Sequence, residues 1–421
     1  MNFEIKNGKG LVSMGYAPRY YSESLSIGKD PVLFLWDDCD DPGDENLVLL
    51  PMDHESENLI NNTLQDVDFN VDYTDRIEDL FSTLGPLFQL LKNGKYHLNF
   101  SAQKIFEDYS PIAAFGVERL DREEVRKESD KYDEKLKQNK FYDYTFHGAY
   151  DGTYRFNEYE QPFVAWKSEE EININLIQQY ESMISSGERP FAIIFTGKCL
   201  EDDFLHEYIL DGHHKLCAYK NLKIEPPCAF IKFLAEEESE FEMDIERISE
   251  LIFPWQFNHF YDNWHGKKKY FKNNPDSSLR KYIKNGLVTF LYPDDRKRAE
   301  SFYINDVPDG DFRHWSENGK ISNIKSFSLG KLIGRSVYYH HDEDAEQNDE
   351  DDLAKRSIGY EYIYKDGDLK ISKRWDRDGK ISSIAIYEPK SIRQIPLTDK
   401  IIWDYSTEKY KTSVSERKDS R

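Results

Sequence analysis

Five consecutive residues, Asp211-Gly212-His213-His214-Lys215, bring together a carboxylate, a glycine, two imidazoles and an ammonium. Each type has work in phosphate chemistry. A lysine is a point charge for phosphate oxygens. Imidazoles donate to such oxygens or shuttle a proton. A carboxylate orients a hydroxyl nucleophile or holds Mg²⁺. The flanking residues indicate how these groups are positioned. Tyr208, Ile209 and Leu210 are strand formers. Asp-Gly is a break, and His214 to Lys220 can run helical, with Leu216 and Tyr219 three apart on one face. A strand that turns straight into a helix leaves the first backbone N–H groups free, and the helix dipole favours an anion there. Asp211 and His213 are therefore the candidate catalytic residues. Gly212, His213, His214 and Lys215 are the candidate phosphate or nucleotide ligands, and Asp211 is a candidate Mg²⁺ ligand. A purely structural reading competes: Asp211 caps the helix, Gly212 serves the turn and the histidines are solvated.

Composition narrows the partners. The 421 residues include 56 Lys and Arg against 79 Asp and Glu, a net charge of −23. Such a chain repels nucleic-acid phosphates and anionic membranes at long range, which disfavours nucleic acid as a partner. The compact basic stretches, Lys267-Lys268-Lys269 and Arg296-Lys297-Arg298, read as solvated surface. Aromatic residues make up 14%, which favours β-rich structure. The cysteines at 39, 199, 217 and 228 form no C-x-x-C pair, so no zinc signature is present. Cys217 and Cys228 read as reduced, buried thiols. No run of about 18 apolar residues is present for a transmembrane helix, and the first residues lack the apolar core of a secretory signal. The expectation is a cytoplasmic protein with no membrane contact.

Along the chain, Pro31 to Trp36 and Leu47 to Leu50 read as buried strands flanking an acidic hairpin loop, Asp37 to Glu45. Ile77 to Leu91 has helical spacing interrupted at Gly85-Pro86. Residues 118–140 are nearly all charged or polar and read as an exposed linking helix, followed by an alternating strand from Phe141 to Phe146. Pro162 to Trp166 reads as a strand, Ile174 to Ile184 as a helix stopped by Gly187, Pro190 to Phe195 as a buried strand, and Cys228 to Phe233 as the closing strand. A helix from 236 to about 252 follows, then an aromatic cluster from Trp255 to Phe271 that reads as packing.

The order helix, Gly187, Pro190 strand, turn, strand, Asp-Gly-His-His-Lys, helix and Ile224-to-Ile231 strand resembles the ParB/sulfiredoxin-like fold. Within it the motif is most similar to the DGHxR branch, which includes free-serine kinases. It departs from the Gly-Glu-Arg-Arg of partitioning proteins that bind CTP, and His213 stands where sulfiredoxin has its catalytic cysteine. Lys215 replaces the branch's arginine, keeping the charge and losing the bidentate fork. The resemblance implies a nucleotide and substrate pocket at the motif and a separate glutamate as base. Glu160, Glu169, Glu170 and Glu171 are the candidates by position.

Beyond residue 280, Trp315 to Ile324 recurs as Trp375 to Ile384, offset by 60 residues. Asn318-Gly319 and Asp378-Gly379 read as type I′ hairpin turns, with weaker copies at Asn285-Gly286, Leu329-Gly330 and Asp366-Gly367. This run of hairpins resembles the variant MORN repeat associated with antitoxin-like proteins. Asp342 to Asp352 is an acidic insertion, read as a mobile loop.

The expected fold class is thus α+β and multidomain. An N-terminal α/β domain occupies 1–117 and a charged helical linker 118–140. A central ParB/sulfiredoxin-like α+β domain spans 141–235 and a helical, aromatic connector 236–279. A C-terminal antiparallel β-hairpin repeat array spans 280–392, and 393–421 is a terminal segment with a disordered tail. The implied function is binding of a nucleotide (ATP, ADP or CTP, with Mg²⁺) or a phosphorylated small molecule, its enzymatic form being a phosphotransferase (kinase) or an NTPase. The alternative is a non-enzymatic interaction protein of antitoxin or immunity type, holding a protein partner on the repeats. A DNA-processing ParB-like protein is third, and the charge of −23 argues against it.

Overall fold

The computed structural model describes residues 1–17, 22–37, 44–102, 118–142, 154–157, 163–198, 206–235, 243–264, 266–292, 294–340, 358–388, 391–394, 400–404 and 409–413. It is a mixed α+β protein in which strands predominate. By contact density the chain divides into two compact units: residues 1–133 with 145–280, and residues 134–144 with 281–421. Among the described residues no helix is long and apolar enough to cross a membrane.

In chain order the elements begin with β1 (Asn2–Ile5), β2 (Val12–Ala17), β3 (Ser22–Ile27), β4 (Asp30–Asp37) and β5 (Asp44–Leu49). Next come α1 (His54–Thr63), α2 (Ile77–Thr83), α3 (Gly85–Phe88), β6 (Gly94–Ala102), α4 (Arg122–Leu136), β7 (Lys140–Tyr142) and β8 (Tyr154–Asn157). The candidate site follows in α5 (Ile174–Ser185), β9 (Ala192–Lys198), β10 (Tyr208–Asp211), α6 (His213–Leu222) and β11 (Pro227–Leu234). Three helices, α7 (Ile245–Ser249), α8 (Pro254–Asn263) and α9 (Lys267–Asn273), complete the first unit.

Two five-stranded sheets organise this unit. The first runs β1-β6-β11-β9-β10, and the second β2-β3-β4-β5-β8. The first sheet corrects the expected domain boundary. Strands β1 and β6, from the segment expected as a separate N-terminal domain, pair with β11, whose other neighbour is the parallel β9. The described residues of 1–102 and 163–235 therefore share one sheet and one core, while β7, at the start of the expected central domain, pairs in the second unit. Ile193, Phe195, Ile231 and Phe233 meet Leu25, Leu33, Leu35, Leu47 and Leu49 of the second sheet there. The opposite side chains of β9, Ala192 and Ile194, pack with Leu216 of α6. Both faces of β9 are thus covered, which accounts for its unbroken apolar run. The aromatic connector also belongs to this unit. Phe260 of α8 meets Phe34 edge to face at 5.2 Å, and Trp36 Nε1 donates to His259 Nδ1 at 2.9 Å. Packing accounts for these aromatics.

The expected linker is α4, and it is amphipathic rather than fully exposed: Val125, Tyr132 and Leu136 form a buried stripe. Ile77 to Leu91 splits into α2 and α3 at Gly85. Of the expected strand Phe141 to Phe146, only the part within β7 falls among the described residues. The helix expected from 236 is described only as the short α7.

The second unit is an antiparallel sheet built from β12 (Gly286–Leu291), β13 (Lys297–Ile304), β14 (Val307–Pro308), β15 (Gly310–Trp315), β16 (Ile321–Ser328), β17 (Lys331–Tyr339), β18 (Ile358–Lys365), β19 (Asp368–Trp375), β20 (Ile381–Glu388) and β21 (Ser391–Gln394). Strand β7 adds in parallel beside β12. Its turns correct the expected chemistry. Leu329-Gly330 and Asp366-Gly367 have positive φ at both residues (46° and 82°, 53° and 94°), so these are the type I′ turns. At Asn318-Gly319 and Asp378-Gly379 only the glycine is positive, and the strand pair shifts register just before the turn, at Trp315 and Trp375. Those are type I turns closed by a glycine bulge. Arg298, expected at the surface, is buried. The tail forms a hairpin as far as Ser413, between β22 (Lys400–Asp404) and β23 (Lys409–Ser413). Residues 38–43 of the acidic hairpin loop and the acidic insertion 342–352 lie outside the described residues.

Candidate anion site at two helix N-termini

Strand β10 ends in a bulge: Ile209 opposes Ile194, and two residues later Asp211 opposes Ile193. Gly212 then turns the chain into α6 with φ 106° and ψ 17°. A Cβ there would stand 2.7 Å from the Cβ of Ala192, so the turn requires glycine both for its dihedral and for its space. Asp211 forms no side-chain cap on the helix; the N-cap residue is Gly212 itself.

The structure turns Lys215 inward. Four residues after Asp211, it comes back one helical turn beneath the strand end. Its Nζ donates to Asp211 Oδ2 at 2.6 Å and to the Phe191 carbonyl at 3.1 Å. The ammonium also lies 3.1 Å from the centroid of the Phe69 ring. Lys215 is 3% exposed. Burial lowers its pKa, and Asp211 opposes that shift. The bonding capacity expected to serve a phosphate is directed into the fold, and Asp211 is correspondingly engaged.

The two histidines have different surroundings. His213 is 3% exposed, its ring edge to face with Trp166 at 5.4 Å. His213 Nε2 and Trp166 Nε1 are both buried with no hydrogen-bond partner among the described residues. Burial, then the neighbouring Lys167, His214 and Arg119, holds His213 well below the usual imidazole pKa. His214 is half-buried, and its Nε2 accepts a 3.0 Å bond from the backbone N–H of Asn173. Burial and Lys167 lower its pKa while Asp211 opposes them. Asn173 is the N-cap of α5, its side chain accepting from the N–H groups of Asn175 and Leu176. The N-termini of two helices, α5 and α6, therefore meet at one hydrogen bond.

The segment from Trp166 to Asn173 forms the wall of this site, and Arg119 anchors it. Arg119 bonds Glu171 through Nε and Nη2 and also donates to the carbonyls of Trp166 (2.6 Å) and Leu50 (2.8 Å). Burial alone raises the Glu171 pKa, but Arg119 and the Ser168 N–H outweigh it and bring it below the usual range. Among the four glutamates expected as a base, Glu171 is thus ionised and held. Glu170 is exposed, Glu160 lies outside the described residues and so does the Glu169 side chain. Arg119, Trp166, Lys167 and Asn173 were not singled out from the sequence. Only Asn173 carried a usable signal, a capping residue just before a helical apolar pattern.

Burial pushes the Cys217 thiol up to about 11 and raises Cys228 further, the behaviour of packed rather than reactive thiols. Cys39 and Cys199 lie outside the described residues. Among the described residues no group of three or more His, Cys, Asp or Glu is arranged to hold a metal ion. Compared with known proteins, the chain matches no family model and no curated sequence.

Proposed function

We propose that the chain binds a nucleotide or another phosphorylated small molecule where the N-termini of α5 and α6 meet, in a ParB/sulfiredoxin-like arrangement of residues 160–235. The observation that carries this reading is the bond between the Asn173 N–H and His214 Nε2. It brings the N-terminus of the 12-residue α5, capped by Asn173, against the N-terminus of the 10-residue α6, which has no side-chain cap. The dipole and uncapped N–H groups of α6 then favour an anion there. Lys167 adds positive charge, and the unpartnered His213 Nε2 and Trp166 Nε1 offer buried polar contacts. In this reading Gly212, His213 and His214 contact the ligand. Lys215 acts indirectly by holding Asp211 at the strand end. A Mg²⁺ at Asp211 would complete its coordination with ligand phosphates and water. Phosphotransfer to a small hydroxyl substrate is the enzymatic form, with Asp211 and His213 nearest the chemistry.

The test is thermal unfolding of the full chain with ATP, ADP, CTP and GTP, with and without Mg²⁺, for wild type and Lys167→Ala. A ligand at one hundred times its Kd stabilises by about 2.7 kcal/mol. The expected result is a shift with at least one nucleotide that shrinks in the variant. No shift with any nucleotide would overturn the reading.

A second reading places a protein partner on the hairpin array, there taken as variant MORN repeats. Tyr338, Tyr360, Tyr362 and Tyr364 share one face of that sheet, with centroids 5.5 to 6.4 Å apart. Lys325 and Arg374 lie over Tyr338 and Tyr360. Such rigid aromatic area with adjacent cations suits partner binding.

A further inference from the structure

We propose that His214 is a proton-operated latch on this site: the neutral ring holds the N-terminus of α5 when the site is empty, and the protonated ring releases that bond and donates to a bound phosphate. The inference rests on the anion-site reading above and adds its regulation.

The argument starts from one bond. A ring nitrogen that accepts a hydrogen bond carries no proton. With the Asn173 N–H donating to His214 Nε2 at 3.0 Å, the proton of the neutral ring sits on Nδ1. Protonation would set Nε2–H against N–H at that distance, two donors with no acceptor between them, and the bond must open. Each donor then needs an acceptor. One phosphate oxygen between them satisfies both, and the bond from the imidazolium is charge-assisted. The donor pair that repels in the empty site becomes a clamp in the filled one.

Burial, and after it the surrounding charges, set the direction. Lys167 from the wall segment and His213 from the same helix face His214, and Asp211 faces it from the end of β10. From α5, Tyr180 feels the same Asp211, and burial raises its pKa, so it stays neutral. Asp211 is the one carboxylate in this set, and Lys215 already engages it. In the empty site the balance therefore favours neutral His214 and a closed latch. A phosphate reverses it. By linkage, a ligand that prefers the protonated ring takes up a proton as it binds, and acid tightens its binding.

Two measurements test this on the full chain. In the ligand-free protein, the Asn173 amide and the His214 ring nitrogens are followed by NMR through a pH titration. The expected result is a common inflection below the usual imidazole range, absent in His214→Gln, whose side-chain oxygen accepts without titrating. An Asn173 amide that stays flat while His214 titrates would overturn the latch. Next, ADP binding is measured by calorimetry in buffers of different ionisation heat. About one proton should be taken up per ADP, and none in His214→Gln. ADP binding without proton uptake would sink this inference and leave the site reading standing. Absence of ADP binding would overturn the phosphate half of this inference, the nucleotide screen above decides the site reading, and the amide titration still decides the latch.

Discussion

Arg119 donates from Nε and Nη2 to the two carboxylate oxygens of Glu171, each at 3.0 Å. The same guanidinium takes the Leu50 and Trp166 carbonyls, so one cation ties the second sheet to the wall of the candidate site. Arg119→Lys keeps the charge and loses the fork. It should cost about 2 kcal/mol in chemical denaturation. Amide exchange should speed up between Trp166 and Asn173 with the β17–β18 hairpin unchanged. Uniform exchange across both regions would refute an anchoring role.

Lys215 and Asp211 form an ion pair in which the lysine is almost wholly buried and the aspartate partly exposed. Lys215→Met strands the carboxylate and should cost about 2–4 kcal/mol. Adding Asp211→Asn should recover a substantial part of that. A double-mutant cycle with no coupling would show that the pair holds nothing in place.

Gly212→Ala meets both a left-handed φ and a neighbour at 2.7 Å. The dihedral alone costs about 1–3 kcal/mol, and the contact with Ala192 adds to it. Urea unfolding should show the loss. Ala192→Gly in the same background should return only the steric share.

The pH dependence follows from the two histidines. Both are held below the ordinary imidazole pKa of about 6.5. Between their folded values and that point, the unfolded chain carries more protons than the folded one. Their contribution is therefore complete above the ordinary pKa and declines as pH falls through the window beneath it. Glu171, held below its own ordinary value, extends the decline into the carboxylate range. Unfolding free energy should rise with pH across the histidine window, less steeply in His213→Gln/His214→Gln. A slope of the opposite sign would contradict the assigned shifts.

Leu329 is 68% exposed and sits at φ 46° in a type I′ turn. Leu329→Asn provides a residue that tolerates this conformation and should stabilise by about 0.5–1 kcal/mol. Thermal unfolding of the second unit's transition would register it. No gain would mean that the turn's strain is relieved elsewhere.

What was readable in the sequence was local. Strand β10, the break at Gly212 and helix α6 follow from a short run of strand formers, a turn dipeptide and helical spacing, and all lie within a few residues of one another. The unbroken apolar run of β9 likewise announced a strand covered on both faces. The pairing of β6 with β11 had no local mark, because register is set by core packing between segments more than a hundred residues apart. Lys215 shows the same limit. Its type suggested a ligand contact, and its direction was decided by Phe69 and Phe191, which no spacing rule connects to it. Arg119 lay in a charged run that reads as solvent-facing, and only the carbonyls of Leu50 and Trp166 single it out.

The position of β11 bears on how the protein is made. It is the middle strand of the first sheet and, of the five, the last to leave the ribosome. From the synthesis of Ala102 until Leu234 emerges, the inner edge of β6 has no neighbour on that side. At 5–20 residues per second that interval is roughly 7–26 s. A nascent chain in this state presents a nine-residue strand with an open edge, the feature that chaperones shield and that aggregation exploits.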